Sequence, residues 1–366
     1  MKVGIVGCGN ISHIYLKNSS KFTNYEIIAV ADLMIDRAKE QAEKYGIKKA
    51  YTTEQLLRDE DVELIINLTI PSVHAEIAIK AMEQGKHVYG EKPLAVTREE
   101  GKQMLDIAKE KGVYLGNAPD TFLGAGIQTC KKIIDDGVIG RPLSATAFMM
   151  IPGHEGWHPD PAFYYQKGGG PMFDMGPYYL TTLVALLGPM ERVTGSVTSG
   201  YDERTIKSKA KYGEKIKVET PTQINGVIDF KNGAIASIVT SFDTWHHQLP
   251  HIELYGSEGS MVVPDPNTFG GRVLVRTKSE SEWREIPYVH PFSENNRGLG
   301  IAEMVDAIQS KRPSRVDGEI AFHVLDAMHG FHDASNEGRH YTLTSTCIQP
   351  SALSVARLKN YTSEEE

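Results

Sequence analysis

The chain has 366 residues, a formal net charge of −8, 40% hydrophobic residues and three cysteines. The length suits about two domains, the acidic balance argues against a nucleic-acid partner, and no run reaches the ~18 apolar residues a membrane span needs. Cys8, Cys130 and Cys347 show neither metal nor redox spacing, so neither a disulfide framework nor a metal site is expected. Strand-like residues begin at Lys2, so no signal peptide is expected and a cytoplasmic protein is.

Lys2-Val3-Gly4-Ile5-Val6 reads as a buried strand, followed by the turn Gly7-Cys8-Gly9-Asn10-Ile11-Ser12 and a helix. This is the opening of a dinucleotide-binding unit: Gly7 permits the tight turn, Gly9 lets backbone approach a pyrophosphate, and the helix start presents N–H groups to that anion. Ser12 stands at the third position, where a small residue suffices for packing. A second strand, Glu26–Ala31, ends at Asp32, which can accept hydrogen bonds from a ribose diol or cap the helix Ile35–Tyr45. Neither Leu33 nor Met34 could grip a 2′-phosphate, and the carboxylate repels one, so NAD is expected over NADP, with Arg37 the nearest contrary residue.

Strand and helix go on alternating. Thr52–Gln55 is a capping box. Leu64–Leu68 is a strand, a helix follows Pro71, Lys86–Gly90 is a strand, Thr97 and Glu100 cap a helix reaching Lys111, and Val113–Gly116 is a strand closed by Asn117. Such repeats build a doubly wound parallel sheet whose ligands lie at the strands' carboxyl ends. Lys92, after the fourth strong strand, falls at that edge.

Past residue 121 the pattern changes. A helix is expected over Gly124–Asp136 and extended stretches over 142–151, 191–199, 222–230, 234–242, 252–256, 260–263 and 272–277. Asn232-Gly233 and Ser257-Glu258-Gly259 are hairpin signals. Helices are expected over 172–187, 299–310 and 319–336, while Lys207–Lys217 reads as a solvated loop and Ser363–Glu366 as a solvated tail. The fold class is thus an α/β Rossmann domain, residues 1–121, and an α+β domain with an open antiparallel sheet, residues 122–366.

The run Gly7-Cys8-Gly9-Asn10-Ile11, Asp32, Thr69-Ile70-Pro71-Ser72-Val73-His74 and Glu91-Lys92-Pro93 resembles the Gfo/Idh/MocA oxidoreductases over nearly the whole chain. The resemblance implies an NAD(P)-dependent dehydrogenase or reductase acting on a secondary hydroxyl of a sugar, cyclitol or related polyol. It implies a cofactor site at Gly7, Gly9, Asn10, Ile11, Asp32, Thr69, Pro71, His74, Glu91, Lys92 and Asn117, with Lys92 catalytic. The family's second catalytic element, Asp-x-x-x-His, corresponds to Asp174-Met175-Gly176-Pro177-Tyr178, so a tyrosine stands where the histidine is expected. Asp174 and Tyr178 are i,i+4 on a helix and share a face, unless Pro177 kinks the helix or marks its start. Either Lys92 or Tyr178 can be the proton acceptor, since each tunes the other's acidity.

His154-Glu155-Gly156-Trp157-His158 offers an aromatic face and imidazole donors, so Trp157 and His158, with Lys92, Asp174 and Tyr178, are the expected substrate contacts. His158 is the next candidate partner for Lys92 if Tyr178 only packs. His154 and His158 are also i,i+4, but no third ligand accompanies them. Asp120 and Thr121 are weaker candidates, and His246 and His247 have no evident place. An open sheet face needs a cover, and the family pairs such faces, so a homodimer or homotetramer is expected. Two alternatives stay open: an NAD-dependent glycosidase using transient oxidation, and a nucleotide-binding protein without catalysis.

Overall fold

Short β-branched runs separated by capped helices build the first sheet. In the computed structural model, which describes residues 1–362, the chain begins β1 (Lys2–Val6), α1 (Ser12–Asn18), β2 (Glu26–Ala31), α2 (Ile35–Tyr45), β3 (Lys49–Tyr51), α3 (Thr53–Arg58) and β4 (Leu64–Asn67). It continues α4 (His74–Glu83), β5 (His87–Gly90), α5 (Arg98–Lys111) and β6 (Leu115–Asn117). The six strands are parallel in the order β3-β2-β1-β4-β5-β6. Val3, Ile5, Val30, Leu64, Ile65, Ile66 and Val88 are wholly buried, as strands covered on both faces require. Both predicted capping boxes form, at Thr52/Gln55 and Thr97/Glu100. The strand β3 had no signal: it has three half-buried residues and no apolar run.

The second unit begins with α6 (Ala125–Asp135), β7 (Pro142–Met150), α7 (Gly170–Leu187) and β8 (Met190–Thr198). Then come β9 (Glu203–Thr205), β10 (Lys215–Lys217), β11 (Gln223–Phe230), β12 (Ile235–Ser241), β13 (Ile252–Gly256), β14 (Gly259–Val263), β15 (Leu274–Thr277) and β16 (Arg284–Glu285). The remaining helices and strand are α8 (Leu299–Gln309), α9 (Gly318–Glu337), β17 (Tyr341–Thr342) and α10 (Val355–Leu358).

A nine-stranded sheet runs β16-β15-β14-β13-β7-β12-β11-β8-β17. Both predicted hairpins form antiparallel pairs, β11/β12 and β13/β14. The expectation of an antiparallel sheet needs one correction: β7 and β12 pair parallel, so the sheet is mixed. Such a pair requires a long crossover, and here α7 lies in it. The charged stretch read as a plain loop is also corrected, because β9 and β10 pair antiparallel across it. Burial alternates along β11 and along β12 up to Thr240, with Ile224, Ile228, Ala236 and Ile238 buried and Asn225, Val227, Ile235 and Ser237 exposed.

The chain divides into Met1–Gly124, His290–Phe322 and the stretch from Pro350 onward as one unit, and Ala125–Val289 with His323–Gln349 as the other. The division expected at 121/122 therefore lies three residues early, and two later stretches, assigned by sequence to the second domain, return to the first. Hydrogen bonds from the N-terminal part hold the return: Asn18 Nδ2 donates to the Asn295 and Arg297 carbonyls at 2.9 and 3.0 Å, and Asn24 Nδ2 to the Ala302 carbonyl at 2.7 Å. Asp120 receives the N–H groups of Gly298 and Gly300, both at 3.0 Å, and so holds the start of α8. The tail Ser363–Glu366 lies outside the described residues. No helix among the described residues is long and apolar enough to cross a membrane.

Candidate active site

In the first unit β1 runs out at Gly7, whose φ of 102° is left-handed, and a Cβ there would stand 2.6 Å from the Leu68 carbonyl oxygen. Glycine alone fits that turn. Around Gly9 a Cβ would meet nothing within 4 Å, and Gly9 and Asn10 are exposed. The turn thus presents bare backbone, and no side chain caps α1 after Ile11. Ser12 is wholly buried and donates its hydroxyl to the Gly9 carbonyl at 2.7 Å, pinning the turn.

Asp32 is 8% exposed. Its Oδ2 accepts the Cys8 N–H and its Oδ1 the Met34 N–H, each at 2.8 Å. The N-cap of α2 is Met34, so Asp32 instead ties the end of β2 to the glycine turn. Each carboxylate oxygen keeps a further lone pair. Leu33 beside it is fully exposed.

Beyond β4, Asn67 Oδ1 accepts the Thr69 hydroxyl at 2.6 Å, and Asn67 Nδ2 donates to the His74 carbonyl at 2.9 Å. Pro71 opens a single 3₁₀ turn, Pro71–Val73. His74 is 2% exposed, with Nδ1 at 2.8 Å from the Pro93 carbonyl and Nε2 at 3.0 Å from that of Thr69. Burial pushes its pKa down, outweighing the pull of these carbonyls and Glu91. A neutral ring carries one N–H and donates to one of the two. His74 therefore ties the loop after β4 to the turn after β5.

That turn carries Glu91, Lys92 and Pro93. Glu91 is 8% exposed; its Oε1 accepts the Tyr15 hydroxyl at 2.7 Å and its Oε2 the Lys92 N–H at 3.1 Å. Lys92 is half-buried, and its bond to Pro93 is cis. At the end of β6, Asn117 donates from Nδ2 to the Ala118 carbonyl at 2.7 Å, while its buried Oδ1 has no partner. A Cβ on Gly90 would stand 3.0 Å from that oxygen. All these positions follow strand carboxyl ends of one sheet. The open backbone at Gly9, the anchored Asp32 and the orphaned Asn117 acceptor fit a dinucleotide. Sequence reasoning missed Tyr15 and Asn67; Tyr15 had only its place on the inner face of α1 as a signal.

In the second unit α7 starts from Gly168-Gly169-Gly170. A Cβ on Gly169 would lie 2.5 Å from the Phe163 carbonyl, and one on Gly170 would lie 2.8 Å from that of Pro221. Pro177 lies inside α7 and does not end it, so Asp174 and Tyr178 do share a helix. Tyr178 is 7% exposed. The imidazole against Asp174 is that of His154, with Nε2 at 3.0 Å from Asp174 Oδ2. His154 sits among the rings of Tyr164, Phe242 and Trp157, with centroids at 4.0, 4.8 and 5.4 Å. His158 has a different setting: its Nδ1 accepts the Asp160 N–H at 3.1 Å, and burial pushes its pKa down. Trp157 is 64% exposed. Sequence offered both histidines of the loop and no signal that separates them. Asp120, offered as a weak site residue, holds α8; burial pushes its pKa up to about 6.

Comparison with known proteins gives a consistent result. The family model described as an oxidoreductase family with an NAD-binding Rossmann fold, GFO_IDH_MocA, matches residues 1–118, and that of the GFO/IDH/MocA C-terminal domain matches residues 127–262. The chain is 28% identical over 265 residues to a 1,5-anhydro-D-fructose reductase of Ensifer adhaerens, covering 71% of this chain and 74% of the relative. It is 24% identical over 323 residues to a myo-inositol 2-dehydrogenase of Thermotoga maritima, covering 87% and 91%. Among solved structures, a levoglucosan dehydrogenase in complex with NADH and levoglucosan superposes with a TM-score of 0.80 at 22% identity, covering 94% of this chain and 99% of that one.

Proposed function

The chain belongs to the Gfo/Idh/MocA oxidoreductase family, and on that basis we propose that it interconverts a secondary hydroxyl and a ketone on a sugar, cyclitol or related polyol, with NAD(H) as partner. Relatives named for anhydrofructose, inositol and levoglucosan support this substrate class. The observation that carries the reading is the edge of the first sheet, where open backbone at Gly9, a doubly anchored Asp32 and the Glu91-Lys92-Pro93 turn follow β1, β2 and β5.

When bound, NAD supplies the hydride acceptor. The chain's residues do the rest. Gly7, Gly9, Asn10 and Ile11 would present backbone to the pyrophosphate, and Asp32 would receive the ribose diol. Thr69, Pro71 and His74 shape the loop beside the dinucleotide, the last by holding that loop to Pro93. Glu91 fixes the Lys92 turn, and the unpartnered Asn117 Oδ1 would be the acceptor toward the cofactor. Lys92 takes the proton of the reacting hydroxyl, with Tyr178 the other acceptor. Asp174 orients the substrate, and Trp157 and His158 contact its ring. NAD is preferred because a 2′-phosphate would face the Asp32 carboxylate.

The protein assembles as a homodimer or homotetramer through the open face of the nine-stranded sheet, where Val227 and Ile235 lie exposed beside Asn225 and Ser237. A cytoplasmic location belongs to the same reading and is supported by three buried cysteine thiols. The test is a screen of polyols and glycosides with NAD, read by NADH absorbance. Turnover on at least one polyol is expected; cofactor binding without turnover on any would overturn the reading.

A further inference from the structure

A buried carboxylate without compensation is costly, so the groups that meet it are informative. Asp174 and His154 are both nearly buried, at 12% and 8% side-chain exposure, and come from different elements: α7 and the loop before it. A carboxylate only accepts, so the proton between them sits on His154 Nε2 and is donated to Asp174 Oδ2. That leaves Nδ1, buried and without a partner.

The ring is held on several sides. Tyr164, Phe242 and Trp157 enclose it. The His154 N–H donates to the Tyr165 hydroxyl at 3.3 Å. The next residue, Glu155, is 5% exposed and meets Arg204 at 3.1 Å, while its carbonyl accepts the N–H groups of Lys207 and Ser208, both at 2.9 Å. Arg204 also pairs with Asp243. The charged groups facing this corner include Asp174, Glu155, Arg204 and Asp243, with the His158 imidazole and Asp160 adjacent. The charged excursion therefore clamps the histidine loop, since β9 carries Arg204 and Lys207 and Ser208 follow it.

We propose that His154 is the positioning residue for Asp174: it fixes the orientation of the substrate-binding carboxylate through Nε2, and the Arg204–Glu155 clamp fixes His154. This assignment rests on the reading that Asp174 orients a polyol. A misplacement of about 1 Å at such a group costs on the order of 10²-fold in rate.

The experiment compares wild type, His154→Ala, His154→Phe and His154→Gln. It measures kcat and KM for a polyol found in the screen, and NADH affinity by fluorescence titration. The expected result for His154→Ala is a kcat lower by about 10²-fold, with NADH affinity within about twofold of wild type. His154→Gln keeps an amide donor for Asp174, so it should recover part of the kcat that alanine loses. If the alanine variant does not fold, His154→Phe, which keeps a ring among Tyr164, Phe242 and Trp157 and removes the donor, carries the test. A His154→Ala or His154→Phe enzyme with wild-type kcat and KM overturns the assignment and leaves the functional reading standing. A wild-type protein that binds NADH and turns over no polyol overturns the reading, and this assignment with it.

Discussion

Tyr178 and Lys92 carry the sharpest residue-scale claim. Tyr178→Phe removes one hydroxyl and keeps the ring of a residue that is 7% exposed, so folding and NAD affinity should hold. If the hydroxyl transfers a proton, kcat falls by about 10²–10⁴-fold. Lys92→Ala should fall at least as far. A double variant much less damaged than the product of the single effects would show the two acting as one unit. Full activity in Tyr178→Phe would make the tyrosine packing. Asp32 allows a second test by isothermal titration. Asp32→Ala removes a charged hydrogen-bond acceptor worth about 1.5–3 kcal/mol, so NAD affinity should drop roughly 10- to 100-fold while NADP affinity falls less or rises. Equal losses for both cofactors would contradict the assigned preference. The residues most legible in the sequence are those whose role is set by local backbone: Gly7 needs its left-handed turn whatever surrounds it. His154 is the least legible, because its partner lies 20 residues on and only the fold brings them together.

At the scale of elements, two buried groups should give stability opposite pH dependences. His323, on α9, accepts the Met190 N–H at 2.9 Å and faces the Ser345 hydroxyl at 2.9 Å. Burial lowers its pKa from 6.5 to about 4. Between those values the unfolded chain binds a proton that the folded chain refuses, so this stability is present above pH 6.5 and is lost as pH falls toward 4. Asp120 goes the other way: burial raises its pKa from 3.8 to about 6. The folded chain holds a proton the unfolded chain releases, so stability falls as pH rises across that window. Each contribution is on the order of 3 kcal/mol at its largest. Asp317 is raised by burial over the same window, so urea melts of Asp120→Asn should lose part of the decline between pH 4 and 6; an unchanged pH dependence would contradict the assignment. Elements with a strong period or a cap were legible: the two capping boxes and both hairpins formed as expected. The two-residue strand β17 and the parallel β7/β12 pair were not, since pairing partners and strand direction belong to the crossover and not to the run itself.

For the whole molecule, the open face of the mixed sheet predicts assembly. Val227 and Ile235 are 37% and 48% exposed there. Sedimentation should give a dimer or tetramer at micromolar concentration, and Val227→Arg should shift the population toward monomer with NADH binding retained. A wild-type monomer would contradict the assembly. The two-domain plan was legible in the switch from βα alternation to hairpins, but the return of His290–Phe322 to the first unit was not. It depends on Asn18, Asn24 and Asp120, whose partners between Asn295 and Ala302 are far along the chain and carry no local signal. The central claim is hydride transfer from a polyol carbon, and the most direct measurement uses a turned-over polyol deuterated at its carbinol carbons. With NAD present, mass spectrometry should find deuterium in the reduced nicotinamide and one ketone formed per NADH. A hydrolysed glycoside without net NADH, or a ketone whose deuterium never reaches the nicotinamide, would contradict it.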